Sequence, residues 1–384
     1  MPLITGAIPN LYNGVSQQPP QQRRTSQLES QINTVASLSE GVVPRPCMKH
    51  VAKLSNSSLG NVFQHTINRD LNERYIVIVK NGDIDVYDFN GNPQTVNYPD
   101  GTSYLTSSNP QEDFWAVTVK DYTFIINKTI TVAMNTRAAG TLTDTKQKFS
   151  ELPASPTTGN IYKIEGTNDT GFDSFYVKFN GKTYEEVEDP LLTQVAFNPL
   201  TMPFELVRVS AGVFEFRKIT WANRLSGDTL TNPLPPFVGN QIRDMFIHKN
   251  RLGFLSAGHY IMSEEGADNF FNYFRTTVTS LLDSDPIAVY ANDNKVSELE
   301  FAVPFNDSVL LFSEQAQFSL SSKDILTPKT VQVTPTTAYE ISTKVRPVVA
   351  GKNIYFVVNR EGFSGVREYF VDVNSTGNDA ADVT

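Results

Sequence analysis

The sequence predicts a mainly β fold: a propeller-like array of blade repeats, with an inserted small β domain and an extended N-terminal arm. Three observations predict it. Val, Ile, Phe and Tyr gather in short runs between Gly, Asn, Pro, Ser and Thr, the distribution of strands and turns. Pairs of short strands recur on one template along the chain. The opening residues, by contrast, carry neither a helical nor a strand period. With 384 residues, 40% of them hydrophobic, and with 25 Phe and 15 Tyr, the chain can bury a sizeable core and divide into several domains.

The first element is an arm over residues 1–50. It contains GVSQQPPQQRR (Gly14 to Arg24), followed near Thr25 to Ser37 by a short helix, predicted from Leu28, Ile32 and Val35 at helical spacing. Residues 51–137 carry the first blade-like units, ERYIVIVKNGDIDVYDFNG (Glu73 to Gly91) and KDYTFIINKTITVAM (Lys120 to Met134). KNRLGFLSAGHYIMS, NDSVLLFSEQAQFSL and GKNIYFVVNREGFSGVREYF repeat the template within residues 221–384. Counted from Arg74, Asp121, Asn250, Asp307 and Lys352, the gaps are 47, 129, 57 and 45 residues. Three of the four lie near the spacing of propeller blades, which are stable only when stacked. The long gap marks an insertion over 138–220, with strand patterns in GNIYKIEG, SFYVKFNGKTYEEV, MPFELVRVS and VFEFRKI. TWANRLSGDTLTNPLPPFVG, dense in Pro, Gly and Asn, leads back as irregular chain. EEGADNFFNYF (Glu264 to Phe274) is a second short helical candidate. NSTGNDAADVT, at the end, offers no obvious closing strand.

Charge and chemistry narrow the function. A net charge of −9 opposes broad, salt-dependent binding of nucleic acid. A single cysteine, Cys47, excludes an intrachain disulfide and a thiolate zinc cluster, and no CxxC partner activates it; a buried or idle thiol is expected. No apolar run is long enough to span a membrane, and MPLITGAIPNLYNG lacks the basic and apolar regions of a secretory signal.

Several constellations could carry chemistry. Asp83, Asp85 and Asp88 do not follow the spacing of a calcium loop; strand alternation puts Asp83 and Asp85 opposite Ile84 and Val86. Glu185, Glu186, Glu188 and Asp189 are the one compact source of a glycosidase pair, yet adjacent strand residues face opposite ways. Asp283, Asp285 and Asp293 read as a turn-rich loop, with a cation site as the alternative. The four histidines include no pair at metal-ligand spacing, and neither G-x-S-x-G nor a phosphate-binding Gly loop occurs. Met262, Phe270, Phe271, Tyr273 and Phe274 suit core packing or a subunit contact, with a sugar or base platform as the alternative.

GVSQQPPQQRRTSQLESQINTVASLSEGVVPRP resembles the N-terminal signature of the nozzle, or tail tubular protein B, family of short-tailed phages. Gly14, Ser16, Gln17, Gln18, Pro19, Gln31, Asn33, Glu40, Gly41, Arg45 and Pro46 carry it. INRDLNERY, DYTFIINK, NPLPPFVG, KNRLGFLS, DSDPIAV, AVPFNDSVLLFSEQAQFSLS and RPVVAGKNIYFV extend it in order to about residue 360. The resemblance implies a structural protein of the virion tail, assembled in the host cytoplasm, with no cofactor and no catalytic site. It implies a homohexameric nozzle ring below the adaptor ring protein and beside the tail fibre protein. Genomic DNA would pass through the lumen without sequence-specific binding, and the host envelope would be met at ejection. The expected assembly residues are Ser16, Gln17, Gln18, Pro19, Arg45 and Pro46, then Asn250, Arg251 and Asp285, for which turn chemistry within a blade is the alternative. Family members are usually longer, so the chain is expected to be part of a longer protein. A tail-associated polysaccharide hydrolase or glycan-binding module is the alternative.

Overall fold

The computed structural model describes residues 10–167, 173–266, 269–291, 298–305, 307–321, 325–360, 362–371 and 378–383. It divides into two compact units, Met1–Leu54 and Ser55–Thr384.

In the first unit, β1 (Thr34–Ser37) and β2 (Gly41–Pro44) form an antiparallel hairpin. Upstream, Val15 bridges Leu28 in parallel, with Leu28 N–H donating to the Gly14 carbonyl and Ser16 N–H to the Leu28 carbonyl. The helix expected near Thr25 to Ser37 does not form. Its apolar stripe has nothing to pack on, since Ile32 is 81% exposed, and burial must offset the cost of helix nucleation. Asn33 adopts a φ of 54°, which breaks any helical run, and Val35 is taken into β1.

The second unit opens with the antiparallel sheet of β3 (Phe63–Asn68), β4 (Arg74–Lys80) and β5 (Asp83–Asp88). Strands β6 (Thr95–Asn97), β7 (Phe114–Val119) and β8 (Tyr122–Asn127) follow, with one helical turn, α1 (Pro110–Asp113), before β7. After β9 (Met134–Asn135) the chain makes a small sheet of β10 (Asp144–Lys146), β11 (Ile161–Ile164), β12 (Phe175–Phe179) and β13 (Tyr184–Val187). It returns through β14 (Ala196–Phe197), which pairs with β9, to β15 (Phe204–Ser210) and β16 (Val213–Lys218).

These two strands complete a five-stranded sheet in the order β6-β16-β15-β8-β7. Three sheets of consecutive strands remain. The first has β17 (Asp244–His248), β18 (Arg251–Ser256), β19 (His259–Met262) and β20 (Ile287–Tyr290). The second has β21 (Leu299–Phe305), β22 (Ser308–Ser313), β23 (Gln317–Ser321) and β24 (Gln332–Thr337). The third has β25 (Val348–Ala350), β26 (Asn353–Arg360), β27 (Phe363–Val371) and β28 (Asn378–Asp382).

Each of these five sheets packs on the next through one apolar cluster. Val77, Val79, Phe204 and Phe214 join the first two sheets, and Ile126, Met245 and Phe254 the second and third. Leu255, Leu311 and Phe318 join the third and fourth, then Phe312, Ile354 and Phe356 the last two. At about 1.5–3 kcal/mol for each fully buried large aliphatic or aromatic side chain, these clusters dominate the fold. Strand β3 lies beside β7, β7 beside β17, β17 beside β21, and β21 beside β25. This all-β stacking is compatible with the expected propeller-like array.

Four further expectations change. MPFELVRVS and VFEFRKI, assigned to the 138–220 insertion, instead pair with β8 and β6, so the separate sheet spans only 144–187. In the unit Lys120 to Met134, β8 pairs with β7 and β15, while Thr131 and Val132 bridge Gln241 and Val238. The described part of Glu264 to Phe274 is turn and coil, and Phe270, Phe271, Tyr273 and Phe274 all pack on one core from irregular chain. Finally, the C-terminal segment does supply a strand, β28, paired with β27.

Candidate functional site

The family-like motif in the first unit is built around an exposed turn. Backbone N–H groups of Gln22 and Arg23 donate to the Pro19 carbonyl at 2.9 and 3.1 Å, while Arg23 also reaches the Gln18 carbonyl at 3.2 Å and Glu29 at 3.3 Å. Ser16 Oγ accepts the Gln18 N–H at 3.2 Å. Gln17, Gln18, Pro19 and Pro20 therefore stand outward on a braced base. Arg45 donates its backbone N–H to Asn33, but its side chain, Pro46 and Cys47 are exposed. The thiol, expected to be buried or idle, is a free surface group.

In the second unit, the structure brings Arg251 and Asp285 together. Arg251, fully buried, donates from Nη1 to the carbonyls of Ser263 (2.8 Å), Ser284 (3.1 Å) and Asp285 (2.8 Å), and from Nη2 to that of Asp283 (3.0 Å). Burial pulls its pKa below the usual guanidinium range, against the pull of nearby Glu265, Glu264 and Asp285. Asp285, equally buried, accepts the Leu282 N–H at 2.9 Å and faces Arg275 Nε at 3.4 Å. The pair clamps the 281–286 loop from inside. Asp283 instead points out toward Lys329, and Asp293 lies outside the described residues. No group of three metal-ligating side chains converges among the described residues.

The four carboxylates expected as a glycosidase source are each committed to structure. Glu186 accepts the Thr277 hydroxyl at 2.5 Å and the Val278 N–H at 2.6 Å. Glu185, on the other face, accepts from Asn180 at 2.6 Å. Glu188 pairs with Arg137 at 2.8 Å, and Asp189 accepts the Leu191 N–H at 2.9 Å. No two of them flank a shared cleft in the way an acid and nucleophile must.

Asn250 does not join Arg251. With Lys249 it forms the β17–β18 turn, both at positive φ (57° and 46°), the conformation that tight hairpins demand. Asn250 also edges an apolar groove of about 740 Å³ walled by Val119, Tyr122, Phe124, Ile219, Phe270 and Phe271. Lys120, Glu205 and Arg217 stand on its rim. Glu205 is held by Arg217 at 2.8 Å; burial raises its pKa and the guanidinium opposes this. Of the aromatic run, Tyr273 and Phe274 enter the core, whereas Phe270 and Phe271 are half-buried here. Sequence reasoning missed this groove, because its walls come from segments far apart in the chain.

It also missed Arg346. This guanidinium lies 4.0 Å over the Trp115 ring, pairs with Asp244 at 2.5 Å and donates to the Ala302 carbonyl at 2.6 Å. Asp244 in turn accepts the Ala302 N–H at 2.6 Å, and Trp115 Nε1 donates to Met245 at 3.0 Å. One side chain thus links β7, β17 and β21. It borders a cavity of about 450 Å³ in which burial pushes Lys128 down and Glu300 up.

A sequence profile of the bacteriophage nozzle protein family matches residues 1–142 and 137–384. Tail tubular protein gp12 of Escherichia phage T7 is 29% identical over 498 aligned positions, which cover 100% of this chain and 62% of the relative. The chain thus spans less than two thirds of that relative's length. Among solved structures, the NanB sialidase of Streptococcus pneumoniae aligns with a TM-score of 0.38 at 10% identity, over 90% of this chain and 65% of its own. A Lactobacillus plantarum protein aligns with a TM-score of 0.30 at 10% identity, over 84% and 80%. Matched along its whole length, the chain belongs to the bacteriophage nozzle protein family, a family of tail structural proteins and not of enzymes.

Proposed function

We propose that the chain builds a homohexameric ring at the distal end of a phage tail, holding the genome and then conducting it into the host. Family membership supports the tail role, and the observation that carries assembly is the N-terminal unit. Ile32, Leu38 and Met48 are 80% exposed or more, apolar surface that a partner would cover. In this reading Ser16, Gln17, Gln18, Pro19, Arg45 and Pro46 meet a neighbouring subunit or the adaptor ring protein. Asn250 contributes directly, while Arg251 and Asp285 act by fixing the 281–286 loop. The tail fibre protein and the host envelope are the outer partners. Residues after 54 carry 39 acidic against 27 basic side chains, an excess that keeps DNA from adhering to the lumen.

Deleting residues 10–24 is expected to leave the melting of the 55–384 unit unchanged and to weaken ring formation, read by native mass measurement and electron microscopy. A deletion variant that still forms rings at the wild-type concentration would sink the role given to the arm.

A further inference from the structure

We propose that the apolar groove beside Asn250 receives the proline-tipped turn at Pro19 and Pro20 of a second copy of the chain. This deepens the ring assembly above and rests on it. The groove is large enough for two prolyl rings, and its walls offer Tyr122, Phe124, Phe270 and Phe271, the aromatic surface on which prolines pack in peptide recognition. Tyr122 is 44% exposed and Val119 38%, so apolar area is left uncovered in the chain alone.

The turn suits this site in shape and in charge. It is held from behind by Arg23 and by two backbone hydrogen bonds to Pro19, so little ordering entropy is lost on docking. Residues 1–54 carry five basic against two acidic side chains, whereas the rest carries 27 against 39. A positive arm therefore meets a negative body. On the rim, Arg217 is already paired with Glu205 at 2.8 Å and with Glu215 at 3.3 Å, so its charge is compensated where the arm approaches. Turn and groove occur on every copy but are different surfaces. The contact is head-to-tail, the type that closes rings.

Disulfide trapping tests it. In chains with Cys47→Ser, Pro20→Cys is placed in one preparation and Tyr122→Cys in another; the two are mixed and oxidised. A mixed disulfide between the two chains is expected, lost on adding excess uncut wild-type arm peptide 10–30. Tyr122→Glu, and separately Val119→Glu, are expected to raise the concentration for half-assembly roughly tenfold, with melting unchanged. No mixed disulfide between the two preparations overturns the proposal. So does normal assembly of both groove variants. If the 10–24 deletion still impairs assembly in those cases, the arm binds elsewhere and the ring reading stands. If the deletion has no effect either, both readings fall.

Discussion

Arg251 shows what a buried charge does in this fold. Its guanidinium satisfies carbonyls from two segments, at 263 and at 283–285, that would otherwise lose water without gaining a donor. Leaving a buried acceptor unpaired costs about 1–3 kcal/mol, so Arg251→Met is expected to lose at least about 3 kcal/mol, seen as a lower urea midpoint. Arg251→Lys should recover part of this, since an ammonium has three donors but cannot span the fork. The sequence offers Arg251 and Asp285 as assembly residues, with turn chemistry within a blade as the alternative. Nothing in the local pattern distinguishes an arginine that reaches a partner from one that reaches carbonyls of its own chain. Arg346 was less legible still: RPVV reads as a loop before a strand, and only tertiary structure puts it over Trp115.

The hairpins were the legible elements, because a polar turn between two apolar runs is a local signal. Strand pairs β4–β5, β18–β19, β22–β23 and β26–β27 sit where the template put them. The failures share one cause. Strand β8 takes β15 as a partner from the far side of an insertion, and no local period encodes a partner that distant. Register also hides in single residues. Gly253 lies opposite Phe246, whose ring occupies the space a Cβ at 253 would need. Gly253→Ala is expected to cost about 1–3 kcal/mol through overpacking, measured as a fall in melting temperature. Combined with Phe246→Ala, the two losses should be less than additive, because the truncation removes the ring that the new methyl meets.

In the whole molecule, the sheet of 144–187 stands apart from the stack. Among the described residues, Tyr162, Ile164 and Val177 form its buried cluster, too few to hold a domain alone. Its two ends meet where the Gly140 N–H donates to the Pro190 carbonyl at 2.7 Å. Replacing residues 141–189 with a short Gly-Ser linker is therefore expected to leave a folded, cooperative unit, with β9 still paired to β14, as followed by calorimetry and circular dichroism. Residues 141–189 expressed alone should be unfolded. A collapse of the remainder would mean that Glu186, through Thr277 and Val278, supports the stack and not only its own sheet. Strand order also has a consequence for synthesis. Sheets β17–β20, β21–β24 and β25–β28 are each made of consecutive strands, so each can form as soon as it leaves the ribosome. The β6-β16-β15-β8-β7 sheet cannot. Its β7–β8 hairpin must wait while everything from Lys128 to Pro203 is made, roughly 4–15 s at ordinary translation rates, with Phe124 and Ile125 uncovered. Nascent chains are most vulnerable to aggregation and to chaperone capture in that interval, and the insertion sets its length.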